Sequence, residues 1–372
     1  MMSTYLSLLV SIIGIIITIF FVVGTHEFAH FIVARWLKVK VLCFSIGFGK
    51  TLVRWHDRKG TEYRLALIPL GGYVKMLDET EAPVKAEESQ FAFNRQALYT
   101  KFLIVAAGPC MNLFCAFVLY CVIFMVGFTA IKPVIGNVAA NSIAAVSGLT
   151  SNEEILRVDG SEAMTWTSVM LRLLLHLGNQ DVASIEVRNM ATMHTSTHSL
   201  NLSHWQLNKL NPDPLASIGI TPSILPIPYI KVPPYLLKKI QYGPMKAIAK
   251  AGQEVQDFIY FNAILFGKLI TGKLSLESLG GPITIFEGAG SALQYGLLPF
   301  MGFLAFLSIS IGIINFLPIP GLDGGHLFIY VIESIIGRPI PEKILLLLYR
   351  FGFILIFLLV IQAVFNDLLR LF

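Results

Sequence analysis

GTHEFAHF, residues 24–31, closes a long apolar run and carries His26, Glu27 and His30. On a helix, side chains four residues apart project from one face, so the two imidazoles can grip a single metal ion. Glu27 sits beside them, placed to take a proton from metal-activated water without itself being a ligand. The run that contains them, residues 5–34, is long enough to cross a bilayer, which takes about 20 mainly apolar residues. Ionisable side chains in such a run cost roughly 2.5–3.5 kcal/mol each at mid-helix on insertion scales, so they ask for a functional reason. A chance His-Glu-x-x-His on a soluble helix is the bland alternative, and the apolar setting counts against it.

The composition agrees with that setting. Of 372 residues, 55% are hydrophobic and 14% charged, and the mean hydropathy is +0.69. Soluble proteins carry about 25% charged residues, so the chain reads as an integral membrane protein with some soluble part. The net charge of +5 is modest and its basic residues form no nucleic-acid face. Cys110, Cys115 and Cys121 share one apolar segment and read as packed thiols, and Cys43 is isolated, so no disulfide framework is expected. The N-terminus lacks a basic leader and a small-residue cleavage site, which makes the first apolar run a retained span.

Three further segments have spanning length: residues 102–128, 297–317 and 344–365. The loop between the first two, residues 35–101, holds 12 Lys/Arg against 7 Asp/Glu. By the positive-inside rule that loop is expected in the cytoplasm and both termini outside, with the first and third spans running in the same direction. Within it, residues 39–48, 62–67 and 73–76 alternate around Pro69-Leu70-Gly71-Gly72, predicting a strand pair beside the membrane. In the outer segment, strands are expected at 134–138, 154–158 and 184–188, and a helix at 165–177. A Pro-rich connector at 222–234 and a helical stretch at 243–274 follow, the latter suited to the membrane surface or to packing under a domain. His194, His198 and His204 lack Cys or carboxylate companions at ligand spacing and read as structural, and His56 and His176 are equally uninformative.

A catalytic zinc site takes three protein ligands and leaves one position open. The third span ends in Asn315-Phe-Leu-Pro-Ile-Pro-Gly-Leu-Asp323-Gly-Gly-His326, a broken segment with one carboxylate that reaches the same membrane side as His26. Irregular backbone at that depth is tolerated only inside protein or beside a watery cavity. Asp323 is therefore the best candidate ligand; it also reads as an ordinary Asp-Gly turn, and His326 is an alternative.

The pairing of His26-Glu27-Phe28-Ala29-His30 with residues 315–325 resembles the two signatures of site-2 proteases, the intramembrane zinc metalloproteases. The similarity extends over nearly the whole chain. IPLGGYVKML (68–77) resembles the family's membrane-associated β region, AAGPCMN (106–112) its second-span motif, and LGGPITIFEGAG (279–290) the approach to its third span. The resemblance implies zinc held by His26, His30 and Asp323, with Glu27 as catalytic base. It also implies that Asn315 holds substrate or stabilises developing charge, and it gives Asn112 a motif position with a looser tie to substrate. Gly71, Gly72 and Tyr73 are expected to bind substrate as part of the β region.

The implied architecture is a polytopic α-helical membrane protein. Four transmembrane helices are joined by a membrane-associated β region and one PDZ-like domain between spans two and three. Residues 1–130 would form the N-terminal catalytic membrane half, 131–222 the PDZ-like domain, 223–296 a connector and amphipathic helix, and 297–372 the C-terminal half. ILRVDG (155–160) carries the PDZ strand-turn pattern, but the related branch of the family has two such domains in tandem where this chain has room for one. The implied substrates are single-span membrane proteins, such as a trimmed anti-sigma factor or remnant signal peptides, cut in a bacterial inner membrane. A zinc peptidase acting on prenylated peptides, and a zinc-dependent transporter or scaffold in which Glu27 has no hydrolytic duty, are the competing expectations.

Overall fold

The computed structural model describes residues 2–80, 82–179, 181–203, 205–207, 213–224, 232–272, 276 and 280–371. In chain order the elements are α1 (Met2–Trp36), β1 (Val41–His56), β2 (Glu62–Met76), α2 (Leu98–Val126), β3 (Phe128–Ile131), β4 (Ile135–Val138), α3 (Ile143–Val146), β5 (Glu153–Val158), β6 (Ser161–Glu162), α4 (Trp166–Leu174), β7 (Val182–Asn189), β8 (Thr195–Asn201), α5 (Pro214–Ile218), β9 (Ile220–Pro222), β10 (Leu237–Ile240), α6 (Pro244–Ile270), α7 (Pro282–Gln294), α8 (Leu297–Phe316), α9 (Asp323–Ile336) and α10 (Glu342–Leu371). Among the described residues, 4 helices are long and apolar enough to cross a membrane: α1, α2, α8 and α10. They fall where the hydropathy places them.

The chain divides into two compact units, one of residues 1–123, 251–259 and 280–372, the other of residues 124–250 and 260–279. In the first, Val22 of α1 packs with Phe300, Leu304 and Leu307 of α8. Gly312 of α8 meets Pro109 and Asn112 of α2, where an added Cβ would lie 3.2 Å from the Pro109 carbonyl oxygen. Asp367 near the end of α10 accepts from the Gly281 and Ile283 N–H groups at 2.9 Å and so caps α7. These contacts gather α1, α2 and α8 into one frame.

The β region is more than the expected strand pair. Residues 41–46 pair with 72–76 on one side, Ile46 opposite Gly72, and with 62–65 on the other, Ile46 opposite Leu65. Residues 62–65 then pair outward with 53–56. Long strands bend at Gly47 and Gly71, both at positive φ, and this lets one strand serve two partners. The tight reversal between β1 and β2 lies at residues 57–61, where Asp57 accepts from the Lys59 and Thr61 N–H groups at 2.9 and 3.0 Å. The Pro-Leu-Gly-Gly stretch is a bend within β2, not a turn between strands.

Arg35 in the last turn of α1 pairs with Asp57 and donates to Thr61 at 2.9 Å, while Thr61 donates to the Val41 carbonyl at 2.8 Å. Phe31, Ala34, Val39, Val41 and Ile104 form the apolar core beneath the sheet. Burial alone would raise the Asp57 carboxyl, but the Arg35 guanidinium and the Thr61 and Lys59 N–H groups hold it down to about 2. A depressed carboxyl contributes stability that is complete above its unfolded value of about 3.9 and is lost as the pH falls towards 2. We therefore expect Asp57→Asn to lower the unfolding temperature by a constant amount between pH 5 and 8. The gap should close below about pH 4, as followed by thermal scans of the detergent-solubilised protein.

In the second unit β6, β5, β7 and β8 form an antiparallel sheet in that order. Val169 and Leu173 of α4 pack with Ile155, Ile185, Val187 and Leu200 in one core. Asp159 and Gly160, at φ 51° and 73°, make the hairpin turn that their sequence predicts. His176 lies between Asp159 and Asp181 at 2.6 and 2.9 Å, and His198 contacts the Ser147 carbonyl at 3.0 Å. His204 and the connector residues 225–231 lie outside the described residues.

Candidate metal centre

His26 and His30 lie one turn apart on α1, both 8% exposed, with their Nε2 atoms 3.2 Å apart. Asp323 is the first residue of α9, delivered by the irregular link at residues 317–322. Its Oδ2 is 3.0 Å from His26 Nε2 and 3.4 Å from His30 Nε2. Among the described residues these three form the group able to hold a metal. The link needs glycine: a Cβ on Gly324 would run into the carbonyl oxygens of Phe316 and Leu317.

The spacing fits zinc. Bonds of about 2.0–2.1 Å in tetrahedral geometry put neighbouring ligand atoms about 3.3–3.4 Å apart. The observed separations of 3.0–3.4 Å describe one face of such a tetrahedron. Asp323 Oδ2 is buried and its polar neighbours are the two imidazole nitrogens, a donor set of two nitrogens and one oxygen that suits a divalent cation.

Span two forms the back wall. Ile104, Gly108 and Asn112 follow one another at four-residue steps on α2, so they share one face. The Ile104 carbonyl contacts His30 Nδ1 at 2.7 Å, and the Asn112 amide faces His26 Nδ1 at 3.3 Å. Between them, a Cβ on Gly108 would strike His30 Nε2 and come within 2.8 Å of His26 Cε1. Only a bare backbone fits against the two rings.

The model of peptidase family M50 matches residues 14–359. The chain belongs to peptidase family M50. Its members are the site-2 proteases, and this chain is a zinc metalloprotease of the membrane. The regulator of sigma-E protease RseP of Salmonella typhimurium and that of Escherichia coli K12 are each 34% identical to it over 450 aligned positions, covering 98% of this chain and all of the relative. A putative zinc metalloprotease of Vibrio cholerae is 32% identical, covering 96% of this chain and 98% of its own.

Around this candidate centre the other expected residues take definite places. Glu27 is half-buried, and Gly72 packs against it so closely that a Cβ there would lie 2.8 Å from Glu27 Cγ. Asn315 is half-buried in the last turn of α8. Tyr73 lies on the 72–76 edge strand, its ring stacked on Phe48 at 6.1 Å. Gly71 sits at the bend beneath the Phe48 ring. Asn112, expected to touch substrate, is 0% exposed behind His26. His326, the alternative ligand, stands outside the metal-holding group and meets the Tyr349 hydroxyl at 3.1 Å. The Ile104 carbonyl and Gly108 were not foreseen, although AAGPCMN already held the four-residue spacing of Gly108 and Asn112.

Proposed function

We propose that the protein hydrolyses peptide bonds within the transmembrane segments of single-span substrates, with zinc held by His26, His30 and Asp323. The observation that carries this is the convergence of two imidazole nitrogens and one carboxylate oxygen within 3.4 Å of one another on a spanning helix and the link that meets it. When bound, zinc supplies Lewis acidity towards water and the scissile carbonyl. Glu27 accepts the proton from the attacking water and returns it to the leaving nitrogen. The Asn315 amide donates to the oxyanion of the tetrahedral intermediate, a contact of a kind worth roughly 2.7–4 kcal/mol in other hydrolases. Glu27→Gln is expected to keep zinc and lower turnover of a purified single-span substrate by about 10²–10⁴-fold. Unchanged turnover would reject Glu27 as the base.

A transmembrane helix must unwind before it can be cut, and its freed N–H and C=O groups then need partners. The strand at residues 72–76, with Gly71, Gly72 and Tyr73 at its start, pairs on one side only and can accept such a segment as an added strand. The Leu77 N–H points inward to the Lys40 carbonyl, so by the two-residue period the Val74 N–H points to the free edge. Val74→Pro is expected to slow cleavage about tenfold, the worth of roughly one hydrogen bond. Val74→Ala should leave the rate near wild type. Equal rates for both variants would dismiss strand addition.

The relatives named as regulators of sigma-E protease support an anti-sigma factor, already trimmed outside the membrane, as the substrate class, with remnant signal peptides as a second source. The charge distribution supports a bacterial inner-membrane location, the centre towards the cytoplasm and both termini outside. The alignment of 450 positions exceeds this chain's 372 residues, in keeping with one PDZ-like domain where the branch has two. That domain would refuse bulky ectodomains by size.

A further inference from the structure

His26 and His30 both turn Nε2 towards Asp323, and metal binding through Nε2 requires that nitrogen to carry a lone pair. A neutral imidazole then carries its proton on Nδ1, and a buried Nδ1–H needs an acceptor. For His30 the acceptor is fixed: the Ile104 carbonyl, 2.7 Å away, can only accept. For His26 the facing group is the Asn112 side chain at 3.3 Å, which holds both a donor and an acceptor. With the amide nitrogen towards His26, two hydrogen-bearing groups meet. The same orientation leaves Asn112 Oδ1 without a partner in a residue that is 0% exposed. A half-turn of the amide plane exchanges two atoms of nearly equal size and removes the meeting of donors. The half-turn moves the NH2 group to the position Oδ1 held, so the preference rests on replacing a donor–donor encounter at 3.3 Å by a hydrogen bond.

We infer that Asn112 is a positioning residue that presents its carbonyl oxygen to Nδ1–H of His26, fixing the ring's tautomer and plane for metal binding. It acts on the metal through His26 and does not touch substrate. Span two thus sets both imidazoles, one by a backbone carbonyl and one by a side-chain carbonyl a further two turns along the same face. This assignment rests on the zinc site proposed above.

Zinc affinity of the purified full chain, measured by chelator competition in detergent, tests it. Asn112→Leu keeps the side-chain size and removes the acceptor, and is expected to weaken zinc about 10–100-fold, the range found when such outer partners are lost. Asn112→Asp can only accept, and should hold zinc as tightly as wild type. A cobalt-loaded sample of this variant should keep the absorption bands of a tetrahedral centre. A donating Asn112 predicts the opposite for Asp: zinc lost as in the Leu variant. Should Asn112→Leu fail to fold, Asn112→Asp alone decides, since retention upholds the acceptor and loss overturns it. Wild-type affinity in a folded Asn112→Leu would equally overturn it. Asp323→Ala separates the two levels. If that variant loses zinc while Asn112→Leu does not, the positioning role alone fails. If Asp323→Ala also retains zinc, the metal centre itself is misassigned.

Discussion

Replacing Gly108 by alanine is expected to abolish zinc binding while leaving the protein folded. In a helix interior alanine is favoured over glycine by about 0.5–1 kcal/mol, so α2 itself should gain from the change. The added methyl, however, points at the two imidazoles, with His26 Cε1 2.8 Å from the new carbon and His30 Nε2 closer still. The His30 ring cannot step aside cheaply, because its Nδ1 is tied to the Ile104 carbonyl at 2.7 Å on the same face of α2. Either that hydrogen bond breaks or the methyl occupies the space of the metal. Both outcomes remove a ligand, and we expect zinc affinity to fall by more than about 100-fold, with peptidase activity lost in step. Metal analysis of the purified variant beside its circular dichroism checks this. A folded Gly108→Ala with full zinc would mean that the metal does not sit between these Nε2 atoms.

The parts of this centre that local sequence encodes are the parts read from it. His26, Glu27 and His30 are legible because helical spacing alone puts the two rings on one face. The spans are legible because burial in lipid demands an unbroken apolar stretch. Asp323 lies 297 residues from His26 along the chain. The direction of the spans and the broken Pro-Gly backbone make it the best candidate beside an ordinary Asp-Gly turn, and the ligand role itself comes from the resemblance to the site-2 proteases. The β region was read in part. The alternation in residues 39–48, 62–67 and 73–76 is visible in sequence, but residues 49–56, which continue the first strand, show none. Their outer residues Leu52, Val53 and Trp55 are more than half exposed, so they show no buried face to betray a period. The Asp57 reversal lies outside the expected turn although its chemistry is local, Asp57 accepting from the Lys59 and Thr61 N–H groups around Gly60 at positive φ. The wall formed by Ile104, Gly108 and Asn112 was hidden for another reason. A glycine chosen for the space its absent side chain leaves looks, in sequence, like any other glycine in a helix.

Gly72→Ala is expected to separate the two halves of the chemistry, keeping zinc and losing turnover. Its Cβ would lie 2.7 Å from the Ser45 carbonyl oxygen and 2.8 Å from Glu27 Cγ. Neither neighbour yields easily. Ser45 is 1% exposed and its backbone is paired with Tyr73, and Cγ is too near the helix for Glu27 to bend around the methyl. The proposed ligand atoms of His26, His30 and Asp323 are not among the atoms the new methyl would strike, so the metal should stay. The Glu27 carboxylate, or the edge strand that would receive substrate, must move. A displacement of about 1 Å in a catalytic group can cost 10²-fold, and we expect a fall in kcat of at least that order. The double variant Gly72→Ala/Glu27→Gln distinguishes the two. If the methyl acts by displacing the base, adding it to Glu27→Gln should slow cleavage little further, because the base is already gone. If the losses multiply, Gly72 serves substrate through the strand edge, and Glu27 owes its position to the helix alone.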